Sequence, residues 1–174
     1  MWSTTVFIVI RCTNGLGDDD AALAVPTDPK TSVNAMTIAK MILNARYKDL
    51  RAIMLKGITI AGFNLVDIEK LNQDTGLPVI VVMRRMPDLS SIEKALTNLN
   101  HKEERLAIIE KAGKIYEGKV QGDSDIFFQF KGIEEDDARE IIRISSMHSN
   151  IPEPLRVSHI IATGVVKGES TKKP

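Results

Sequence analysis

Pro78-Val-Ile-Val-Val-Met83 is the most apolar strand-like stretch of the chain, and it carries no polar residue at alternate positions. A strand with one wet face alternates; a run that does not is covered on both faces, which is the condition of a parallel strand inside an α/β sheet. The residues before it fit that reading. Arg51-Ala-Ile-Met-Leu55 is a second strand. Between the two, Leu65, Ile68 and Leu71 recur at helical spacing, with Asn64 as the expected N-cap and Gly76 as the closing glycine.

Further out, the pattern continues. On the C-terminal side, Ser90 with Glu93 has the form of a capping box, followed by Ile92, Ala95, Leu96 and Leu99 on one helical face. A helix from Glu103 to Ala112 stops at Gly113. Ile126-Phe-Phe-Gln-Phe130 is a strand, and Glu134, Glu135, Asp136 and Asp137 open the next helix, where four acids complement the helix dipole. Ile151-Pro-Glu-Pro154 introduces the last helix, with Pro154 in its first turn and Gly164 just past its end. On the N-terminal side, Thr4–Arg11 and Ala21–Val25 form a hairpin around Asn14-Gly-Leu-Gly17 and Asp18-Asp-Asp20, ended by Pro26 and Pro29. Ser32 is placed to cap a helix to about Ala45 whose inner face holds Met36, Ala39, Ile42 and Leu43. The expected fold is α/β: a mixed sheet with an antiparallel hairpin at one side, parallel strands beside it, and flanking helices.

Length agrees with one domain over residues 1–174, the tail 170–174 being frayed. The chain is 43% hydrophobic and 26% charged, which excludes a disordered or low-complexity protein. Its 23 basic and 23 acidic residues cancel, and neither half is strongly one-sided. A histone-like binder that uses its whole surface is excluded; a local basic groove is not. Cys12 stands alone, so no disulfide framework and no all-cysteine zinc site exists, and its apolar neighbours make it a small core residue. The longest apolar run, Val6–Ile10, is far below the roughly 20 residues of a membrane span. A cytoplasmic location without membrane association is expected.

Generic catalytic signatures are absent: no glycine-rich dinucleotide or P-loop motif and no Gly-x-Ser-x-Gly elbow. His101, His148 and His159 lack zinc-ligand spacing; the first two lie in polar connections, and His159 lies within the last helix, one turn beyond Arg156. Two positions follow strand ends, where open α/β sheets hold their ligands. Arg84-Arg85 could hold phosphate or pair with Asp88. Lys56-Gly57 is either a simple turn or a point of close backbone approach to a ligand.

Three blocks taken together are far more specific. Lys56-Gly-Ile-Thr-Ile-Ala-Gly-Phe-Asn-Leu-Val-Asp-Ile68 is the first, and Thr75-Gly-Leu-Pro-Val-Ile-Val-Val-Met-Arg-Arg-Met-Pro-Asp88 the second. The third is Ile151-Pro-Glu-Pro-Leu-Arg-Val-Ser-His-Ile-Ile-Ala-Thr-Gly-Val-Val-Lys-Gly-Glu-Ser170. Their order and spacing resemble the archaeal endonuclease dU family, itself similar to endonuclease V. The resemblance implies a ribonuclease-H-like sheet and metal-dependent nicking of DNA or RNA near deaminated bases, in the service of DNA repair. Mg²⁺ or Mn²⁺ would be held by carboxylates at strand ends, where the metal activates water and neutralises charge on the phosphate.

This sequence departs from that pattern. The resemblance implies an aspartate on a first strand ahead of the hairpin, whereas Thr4–Arg11 matches the second strand and the first has no counterpart. The strand ending at Leu55 should present another aspartate before Gly57, and Lys56 stands there. At an effective dielectric near 20, like unit charges ~4 Å apart repel by about 4 kcal/mol, and a divalent ion doubles this. Asp28, His159 and Glu169 are the candidate remnants of a catalytic set, and no metal site is expected intact. The expected nucleic-acid contacts are Lys56, Gly57, Arg84, Arg85, Arg156 and His159.

Three functions compete. One is a divergent member that keeps DNA or RNA binding after losing its metal site. Another is an active endonuclease with an acid set rebuilt from Asp18, Asp19, Asp20 and Asp28. The last is a non-catalytic scaffold for a protein or ribonucleoprotein partner.

Overall fold

The computed structural model describes residues 3–10, 21–27, 35–45, 49–60, 64–97, 101–120, 124–146 and 149–167. Six strands form one sheet in the order β2-β1-β3-β6-β8-β7. They are β1 (Ser3–Ile10), β2 (Ala21–Thr27), β3 (Ala52–Lys56), β6 (Val79–Met83), β8 (Asp125–Lys131) and β7 (Tyr116–Lys119). A two-stranded ribbon, β4 (Thr59–Ile60) with β5 (Asn64–Leu65), stands apart from the sheet.

β1 pairs antiparallel with β2 and with β3, and β3 runs parallel to β6. The mixed α/β sheet with a hairpin at one side is therefore as expected. The extent of parallel pairing is not. β8 lies antiparallel to β6 and forms a second hairpin with β7, so β3–β6 is the single parallel pair of this sheet. The unalternating run of β6 is still explained, because its first four residues are buried between helical layers on both faces.

Alternation along the strands sends odd and even residues to opposite layers. Ile53, Leu55, Val79 and Val81 face α1 (Ala35–Leu43), α2 (Ile68–Thr75) and α4 (Lys102–Ala112), whose Ile38, Ile42, Ile68, Leu71 and Ala112 complete that core. Met54, Ile80, Val82, Ile126 and Phe128 face α5 (Glu135–Ser145) and α6 (Glu153–Lys167) through Ala138, Ile142 and Leu155. Helix α6 also packs across β1, β2 and β3. α3 (Leu89–Leu96) anchors itself through buried Leu96.

Several local readings are corrected. The N-cap of α2 is Asp67, not Asn64: its carboxylate accepts the Lys70 amide at 2.8 Å, while Asn64 belongs to β5. An aspartate whose oxygen reaches the third amide satisfies a donor the helix itself leaves open. Gly76 closes α2 at φ 69° as expected. Asp88 caps α3 in place of Ser90, which lies inside the helix. On α1, Met36 and Leu43 are exposed and Ala35 and Ile38 take the inner face. Gly164 lies within α6, which runs on to Lys167. Pro26 sits inside β2, tolerated because β2 is an edge strand of the sheet, with no partner on its outer side among the described residues. No described helix is long and apolar enough to cross a membrane.

Candidate nucleic-acid interface

The C-terminal ends of β3 and β6 lie side by side, with Lys56 in register with Val82. One further bond extends the ladder: the Gly57 amide donates to the Val82 carbonyl at 3.1 Å. The chain then leaves the sheet through β4 and β5 and is recaptured where the Val66 amide donates to the Ile58 carbonyl at 2.9 Å. Gly57 holds φ 79°, a left-handed conformation that side chains disfavour. Among the described residues, apart from its chain neighbours, no atom lies within 4 Å of where its β-carbon would stand, so the backbone there is open on that side.

Lys56 follows Met54 toward the α5–α6 side and reaches the surface. Enough protein surrounds its ammonium to lower its pKa below the ordinary 10.5, and the neighbouring positive charge of Arg84 lowers it further. Both causes disfavour the charged form, and an anion placed between the two cations would oppose both. Arg84 and Arg85 are exposed immediately past β6. Asp88 is engaged elsewhere. Its carboxylate accepts the Ser91 amide at 3.1 Å, the Ser91 hydroxyl at 2.6 Å and the Ser90 hydroxyl at 2.7 Å, and these bonds hold its pKa at about 2.

The other expected contacts do not assemble there in the same way. Arg156 binds Glu153 on its own helix, Nε and a terminal nitrogen reaching Oε2 at 2.7 and 2.6 Å, which raises the guanidinium pKa. The second oxygen of Glu153, Oε1, is buried and has no hydrogen-bond partner among the described residues. His159 is half-buried on α6 and makes an interaction of its own. Asp28, Glu169, His148 and the Asp18–Asp20 run lie outside the described residues. Among the described residues no three His, Cys, Asp or Glu side chains come together in a way that could hold a metal ion. At the end of β3 in particular, an ammonium beside a guanidinium offers no oxygen donor, and this spot does not fit a divalent cation.

The sequence reading missed Glu153 as the partner of Arg156, although the i, i+3 spacing of opposite charges was visible. It also passed over Met86 and Leu89, large apolar residues standing exposed beside Arg84 and Arg85.

Comparison with known proteins agrees with this architecture. A family model described as Endonuclease dU matches residues 31–166. A UPF0215 protein of Thermococcus sibiricus is 50% identical over 133 residues, covering 76% of this chain and 67% of that protein. A UPF0215 protein of Methanosarcina mazei is 52% identical over 136 residues, covering 76% of this chain and 69% of its own length. A crystal structure of a protein of unknown function from Archaeoglobus fulgidus superposes with a TM-score of 0.75 at 34% identity, covering 85% of this chain and 83% of that one.

Proposed function

The chain belongs to the endonuclease dU family, and from that premise we propose that it binds DNA or RNA at the β3–β6 sheet edge with its metal-dependent nuclease site impaired. The observation that carries this reading is that the parallel register of β3 and β6 sets Lys56 opposite Val82, two residues before Arg84, so that two cations share one sheet edge and the charge of Arg84 bears on the Lys56 ammonium. Where the family resemblance places a carboxylate that would hold Mg²⁺, this chain has a second cation. A bound metal attracts a phosphate by positive charge, and so does an ammonium; the attraction is retained while the means of activating water is lost. Gly57, open on its α-carbon side, lets a backbone phosphate come close.

Arg85 extends the positive edge on the same loop. Arg156, already neutralised by Glu153, contributes little net charge. The ribonuclease-H-like assignment belongs to this proposal as well. It is supported by a hairpin laid against a parallel pair, with helices on both faces.

The test is retardation of labelled oligonucleotides containing uracil or hypoxanthine across a salt series. Affinity is expected to fall steeply with salt and to weaken with Lys56→Ala, without chelator-sensitive nicking in Mn²⁺. Absent or salt-independent binding would overturn the reading.

A further inference from the structure

We propose that the turn from Met86 to Leu89 is an apolar tip that inserts at a base step of duplex nucleic acid; this rests on the reading that the β3–β6 edge binds nucleic acid. Met86 is 58% exposed and Leu89 52% exposed. Met86 follows Arg84 and Arg85 directly and Leu89 comes three residues later, and both arginines are exposed. Met86 lies in the turn itself and Leu89 is the first residue of α3, whereas the other exposed large apolar residues among those described, Met36, Leu43, Ile144 and Ile161, lie further inside or at the end of helices.

The tip is held at both ends. On one side Met83, the last residue of β6, is still paired with Phe127 of β8. On the other, Asp88 fastens the start of α3 through three hydrogen bonds from Ser90 and Ser91. Pro87 between them fixes φ near −65°. Short rigid turns that present Met, Leu or Pro can part adjacent bases, provided nearby cations hold the phosphates on either side. Met86 lies four residues beyond Val82, the register partner of Lys56, which is at most about 14 Å of extended chain. The cationic edge and the tip can therefore reach one stretch of duplex. The one acid of the tip, Asp88, has its charge complemented by the helix N-terminus it caps.

The probe is a DNA duplex carrying 2-aminopurine, whose fluorescence rises on unstacking, compared for the wild-type protein and the Met86→Ser/Leu89→Ser double variant. The wild type is expected to raise fluorescence severalfold at saturation. The double variant should lose that rise and bind duplex roughly five- to tenfold more weakly, with single-strand affinity changed by less than about twofold. Met86→Leu should keep the signal and controls for folding. Wild-type binding without a fluorescence rise, or a double variant indistinguishable from wild type, overturns the tip and leaves the binding edge standing. Failure of the wild type to retard any oligonucleotide overturns both. Concentration-dependent self-association abolished by the double variant, with duplex binding unchanged, also overturns it.

Discussion

The Gly57 amide donates to the Val82 carbonyl at 3.1 Å, one residue beyond the last ladder pair of β3 and β6. That bond keeps the two strand ends together while the chain turns outward, so Lys56 stays close enough to Arg84 for the two charges to repel. An added β-carbon at Gly57 would meet no atom of the described residues beyond its chain neighbours, yet its φ of 79° makes it costly. Gly57→Ala should therefore destabilise by about 1 kcal/mol and loosen this edge. Chemical denaturation alongside oligonucleotide retardation checks both effects.

Removing the ammonium at position 56 tests the electrostatics. Lys56→Ala should weaken oligonucleotide binding roughly tenfold and lower the slope of log affinity against log salt by about one. Lys56→Glu should weaken it further. A binding isotherm at four or five salt concentrations separates this from a general loss of folding, which would leave no steep salt dependence to measure.

The pH dependence follows from the lowered pKa of Lys56. The ammonium begins to deprotonate below pH 10.5, so binding should fade on the alkaline side earlier than for an ordinary lysine. Stability moves the other way. Between the lowered folded value and the ordinary one, the unfolded chain holds more protons at this site, so folding becomes more favourable as pH rises. Denaturant titration over that range should show wild type gaining stability relative to Lys56→Ala as pH rises, because the variant lacks this titrating group.

Asp88 gives the opposite case. Its carboxyl is held at about 2 by the Ser90 and Ser91 hydrogen bonds, below its ordinary 3.8. A depressed carboxyl contributes stability that is present above pH 3.8 and is lost as pH falls through about 2. Asp88→Asn should lower the melting temperature at neutral pH, and the difference from wild type should vanish in strong acid. Thermal melts at several pH values read this directly.

Gly132, at φ 73°, faces Asn72 so closely that an added β-carbon would lie 2.1 Å from Asn72 Nδ2. That amide already donates to the Leu77 carbonyl at 2.8 Å, just ahead of β6. Gly132→Ala should cost about 2 kcal/mol or more through backbone strain and the lost bond. Adding Asn72→Ala should recover the steric part and leave the strain, which a double-mutant cycle resolves.

What was legible in the sequence had strong local causes. The apolar run of β6 announced a strand covered on both faces, and Gly76 announced the end of α2, because each signal lies in the residues themselves. Strand β7 was not legible: Tyr116-Glu-Gly-Lys119 has one exposed side and a glycine, and it forms because Phe128 packs against Gly118 across the hairpin. The choice of Asp67 over Asn64 as a cap depended on the β4–β5 ribbon claiming Asn64. At the candidate interface, Lys56 and the arginine pair were readable as strand-end residues. Their adjacency depended on the parallel register of β3 and β6, and the neutralisation of Arg156 on the rotamer it shares with Glu153.

We propose that Lys56 and Arg84 hold a nucleic-acid phosphate at the strand end where the family resemblance implies a metal-binding carboxylate. The most direct test is to incubate the pure protein with Mn²⁺ and a uracil-containing labelled oligonucleotide, reading retardation and nicking on the same sample. The account predicts salt-sensitive retardation of an intact strand, weakened by Lys56→Ala. Nicking that a chelator abolishes, and that Lys56→Ala leaves in place, would contradict it.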